Sequence, residues 1–145
     1  MNTIVCNTLS GAVTEYTRHD FDSVTTTHCA GVDGLFAFSG DNDAGLPITT
    51  ELRLPATLCE NTLKQQIAMV YLSMRGQGEA RFTVFGPGQS WSYPFPLRES
   101  DQTRCPVGKG IRENYLGFGL STPDGQAFTL DRVEVMSVKS KTRRV

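Results

Sequence analysis

The chain has 145 residues, enough for one domain or two small lobes, and a length that can bury a real core without staples. Its 39% hydrophobic and 20% charged residues make an ordinary globular composition. Fourteen basic against fifteen acidic residues, a net of -1, argue against a general binder of polyanions. No apolar run approaches the roughly 20 residues a membrane-crossing helix needs, so no membrane insertion is expected.

The opening "MNTIVCNTLSG" lacks the basic flank and long apolar stretch of a signal peptide, so synthesis and folding in a cytoplasm are expected. "TIVC" and "AVTEYT" flank the turn "NTLSG" and read as a hairpin. "RHDFDSVTTTHCAGVDG" is polar and irregular in its first part. "GLFAFSG" then alternates weakly, and "DNDAGLP" is a loop by composition. "ITTELRLP" places Ile48, Thr50, Leu52 and Leu54 on one face, with Pro55 ending or edging the strand. Residues 1–54 are therefore read as an antiparallel meander of three or four strands.

"ATLCENTLKQQ" is the one candidate helix, with Leu58, Leu63 and Ile67 on its apolar side and Thr57 or Asn61 as cap. "IAMVYLSMRG" is apolar on both parities, as in a central strand buried on both faces. "ARFTVF" and "SWSYPFPL" flank "GPGQ" as a hairpin. Pro94 and Pro96 cannot donate to a ladder, which places the second strand at a sheet edge. "YLGFGLS" lines Leu116, Phe118 and Leu120 on one face and Gly117 and Gly119 on the other, where a backbone or partner can approach closely. "TPDG" is a turn, and the run from Lys109 to Val135 reads as a closing hairpin. In "AFTLDRVEVMSV" the apolar phase changes between Leu130 and Val133, predicting a bulge near Asp131–Arg132.

The four cysteines, Cys6, Cys29, Cys59 and Cys105, are scattered without a C-x-x-C pair and read as free thiols rather than a zinc site. "GDNDAG" offers Asp41, Asn42 and Asp43 but no further ligand at calcium-loop spacing, so it reads as an acidic turn. Asp20, Asp22, Asp33, Asp41 and Asp43 cluster in sequence without a pairing that marks a glycosidase. His28 and Cys29 are adjacent, hence on opposite faces of a strand. No catalytic, cofactor-binding or metal-ligating residues are therefore expected. Trp91, Tyr93 and Phe95 form an aromatic stripe, read first as core, with Trp91 and Tyr93 as an alternative ligand platform. Arg104, Lys109 and Arg112 surround "CPVGKGIR". The basic end "KSKTRRV" reads as a solvated tail rather than a nucleic-acid contact.

Several segments in order, "EYTRHDFDSV", "GLFAFSGDNDAGLPI", "LKQQIAMVYLSMRGQG", "YPFPL", "GKGIRENYLGFGLSTPDGQAFTLDRVEV" and the final arginines, resemble a family of small tail-associated structural proteins of tailed bacteriophages. In that family a Gly-Arg-Gly-hydrophobic-Arg motif precedes an aromatic strand; here Lys109 replaces the middle Arg and Leu116 the frequent aromatic. "DGQAFTLDRVEV" is also similar to the last strands of galactose-binding-like jelly rolls.

The resemblance implies a non-enzymatic virion protein of the tail, tail tip or baseplate, made in the host cytoplasm. Its partners would be other tail proteins, with a homo-oligomeric ring around the tail axis. A host-glycan or receptor-binding module, and a capsid-decorating or head–tail joining protein, are the alternatives. The expected architecture is all-β: an antiparallel meander over 1–54 and a jelly-roll-like β-sandwich over 55–145. Interface candidates are Lys109, Arg112, Gly117, Gly119, Arg143 and Arg144.

Overall fold

A computed structural model describes residues 3–16, 20–43, 45–57, 63–100, 102–108 and 110–143. The fold is all-β and antiparallel, with no helix among the described residues. Two compact units divide after Gly40, earlier than the expected boundary at residue 54.

The first unit opens with the hairpin of β1 (Thr3–Cys6) and β2 (Val13–Tyr16). Its turn is organised by Asn7, whose Oδ1 accepts hydrogen bonds from Leu9 N and Ser10 N while Gly11 N donates to Asn7 O. Gly11 has φ 71°, a conformation that glycine adopts without a Cβ penalty. A three-stranded meander follows: β3 (Ser23–Val24), β4 (His28–Gly31) and β5 (Gly34–Ala37). The Thr-rich run hid β3 and β4 from pattern reading. There Thr25 Oγ1 accepts from Thr27 N and His28 N, so side-chain bonds make the turn.

The second unit begins with a small exposed hairpin, β6 (Asn42–Asp43) and β7 (Leu46–Pro47). Next come β8 (Thr50–Thr57), β9 (Leu63–Gly76), β10 (Glu79–Gly86), β11 (Gln89–Pro96), β12 (Thr103–Cys105), β13 (Arg112–Glu113), β14 (Leu116–Thr122) and β15 (Phe128–Arg143). One sheet has the order β11-β10-β14-β8. The other centres on β9, with β12 and β13 along one side and β15 along the other. The two sheets share one core, to which Val70, Leu72 and Met74 contribute from one and Phe82, Val84, Phe95 and Leu120 from the other. This is a β-sandwich-like unit.

Several expectations need correction. "ITTELRLP" does not belong to the meander: its strand β8 is an edge of the second unit's sheet, paired with β14. Its apolar face is nevertheless the one read from sequence, since Leu52 and Leu54 sit opposite Leu120 and Phe118. Pro55 lies within the strand, at a bulge where Pro55 and Ala56 face Gly117 alone. The expected helix is absent from its described ends: Thr57 closes β8 and Leu63 opens β9, while Leu58, Cys59 and Asn61 lie outside the described residues.

Strand β9 is central, as expected, but it is not buried on both faces. Ala68 has no partner in the β15 register, so the inward set shifts from Gln65 and Ile67 to Val70, Leu72 and Met74. A bulge thus satisfies the two-parity pattern, because it flips the side-chain phase without turning the chain. The same device appears where it was predicted in β15: the register skips Asp131, letting Phe128 and Leu130, then Val133 and Val135, face the core.

The run from Lys109 to Val135 is not a closing hairpin. Strand β14 pairs with β10 and β8, whereas β15 pairs with β9, so the "TPDG" turn carries the chain from one sheet to the other. The turn itself forms as read: Gly125 N donates to Thr122 O, and Gly125 has φ 72°. The hydroxyls of Thr103 and Thr122 are buried without a hydrogen-bond partner among the described residues. Valine at Thr122 keeps the shape and removes the orphaned hydroxyl. It should raise stability by about 1 kcal/mol in urea unfolding.

Candidate functional site

The aromatic stripe of β11 faces inward. Phe95 is buried and Trp91 and Tyr93 are half-buried against the core. The register explains this, since Tyr93 lies opposite Phe82 and Trp91 opposite Val84, both core residues. Glycine makes room for both rings. A Cβ on Gly86 would come 2.9 Å from Trp91 Cζ3, and one on Gly108 would come 2.8 Å from the Tyr93 hydroxyl. Trp91 and Tyr93 thus stand half-buried against the core rather than as a freely exposed ligand platform. Iodide should quench Trp91 fluorescence only weakly in the native state and strongly after unfolding. Simple sugars should leave the spectrum unchanged.

Gly117 and Gly119 are also buried, which corrects their reading as a surface for other chains. The close approach that their missing side chains permit is made from within. A Cβ on Gly119 would meet the Phe85 ring at 2.9 Å and Leu52 O at 3.3 Å, and Gly117 packs on Ala56. The Arg53 guanidinium lies 4.1 Å from the centroid of the Phe85 ring. Gly119, Phe85 and Arg53 therefore form a small stacked cluster on the outer face of the sheet. Sequence pattern did not reveal it, because the three residues are 32 and 34 positions apart.

Of the remaining interface candidates, Arg112 is exposed on the short strand β13, opposite Gln66. Arg143 ends β15 opposite Leu63, while Lys109 and Arg144 lie outside the described residues. Arg104 stands over Tyr71, 5.6 Å from the ring centroid. The structure does not bring Arg112 and Arg143 together with Gly117 and Gly119 as one patch: the glycines lie in one sheet, and the two arginines on strands paired to β9 in the other.

Titratable groups give little chemistry. Among the described residues no three of His, Cys, Asp or Glu converge on a metal-sized space. Cys29 is buried and His28 exposed, with His28 Nδ1 2.9 Å from Thr27 Oγ1, so the two do face apart. Burial pushes the Cys105 thiol up from 9.0 to about 11, which makes it a poor nucleophile. The unfolded chain ionises this thiol near pH 9 and the folded chain only near pH 11. The unfolded state therefore binds fewer protons in that window, and stability should fall as pH rises through it. The contribution is present in full below pH 9 and is progressively lost as pH rises toward 11. Denaturation at pH 8, 10 and 11 should show a steeper decline for the wild type than for Cys105→Ala.

The most distinctive surface is apolar. In the first unit Cys29 is the one buried hydrophobic residue among those described, while Leu9 is 98% and Val32 89% exposed. Ile4, Val13, Val24 and Leu35 are exposed as well. In the second unit Met136 and Val138 stand exposed on β15.

Comparison with protein-family models, with curated proteins and with solved structures returns no match to this chain.

Proposed function

We propose that this is a non-enzymatic structural protein of a bacteriophage virion, placed in the tail, tail tip or baseplate and acting through assembly contacts. The observation that carries the assembly part is the first unit. It has about forty residues, a size at which a lone chain seldom supplies enough core for itself. It leaves most of its large aliphatic side chains in water, around one buried residue. Apolar side chains left outside so small a core become buried when other chains pack against them in an assembly. The tail-associated part rests on the sequence resemblance described above. A ring around the tail axis would repeat one such contact in every subunit. The inward-facing Trp91 and Tyr93 count against a glycan-binding module on that strand.

Immunogold labelling of intact particles, with mass spectrometry of the same preparation, tests this reading. Label at the tail or its tip is the expected result. Label on the head would move the protein to the decorating or joining class. Absence from particles by both methods would overturn the virion reading. Replacing Arg143 and Arg144 together with alanine should leave the melting temperature unchanged and abolish incorporation into particles. Normal incorporation would remove the basic end from the assembly surface.

A further inference from the structure

We draw no further inference here: the strongest candidate, the exposed apolar face that Met136 and Val138 form on strand β15, carries no proposal because nothing in the structure shows what covers it.

Discussion

Alanine at Phe82 should lower the stability of the second unit by about 4 kcal/mol, on the order of 15 °C in melting temperature for a unit of this size. Phe82 is 1% exposed, in the middle of β10. It lies opposite Tyr93 on one neighbouring strand and Leu120 on the other. Its ring is stacked on Phe118, with centroids 6.0 Å apart and planes 24° from parallel. Removing the ring leaves a cavity bounded by β-sheet backbone on one side. Hydrogen-bonded strands cannot collapse into such a space as loops can, so both the transfer and the cavity terms are felt. Thermal unfolding by circular dichroism checks the magnitude. A loss below about 1 kcal/mol would mean that the two sheets do not share a core around Phe82.

Valine at Gly119 should destabilise the isolated chain by about 2 kcal/mol, within the range for forcing bulk into a packed site. The added Cβ would meet the Phe85 ring at 2.9 Å and a backbone oxygen of the edge strand at 3.3 Å. Phe85 must then swing away, which also breaks its stacking with Arg53. The result separates two roles for this glycine. If it served only contacts with other chains, the substitution would leave the melting temperature of the isolated protein unchanged and would affect assembly alone. A second substitution, Arg53→Ala, should cost about 0.5 kcal/mol by itself and less in the Gly119→Val background. That loss of additivity is the signature of one stacked cluster.

The elements readable in the chain are those defined by local chemistry. The Asn7 and Gly11 turn, the Gly-Pro-Gly hairpin and the "TPDG" turn all depend on residues that make their own backbone geometry. Gly88, with φ 74° after Pro87, shows how little tertiary context such a turn requires. The bulge at Asp131 was legible for a related reason. Side-chain direction alternates strictly along a strand, so a phase change in the apolar pattern demands an extra residue. The edge position of β11 followed from the two prolines, which cannot donate hydrogen bonds to a second neighbour.

What local pattern could not supply is which strand meets which. Alternation in "ITTELRLP" correctly marks Leu52 and Leu54 as one face, yet their partner β14 lies some sixty residues onward, in the other half of the chain. Two strands joined by a five-residue connection look like a hairpin, but Phe118 and Phe128 line different sheets of the sandwich. That the close approach at Gly117 and Gly119 is made within the chain was not legible, because what fills the space above Gly119 is Phe85, a residue with no sequence relation to it.

Residue order thus determined the all-β character, the turns, the alternation of faces and the position of one bulge. Those follow from backbone sterics and from the two-residue period of a strand. Only the tertiary structure decided the division after Gly40, the sheet to which each strand belongs, and the inward turn of Trp91 and Tyr93. These depend on non-local pairing. Its free energy comes from burial and backbone hydrogen bonds shared between segments far apart in the chain, and no single segment carries a record of its partner.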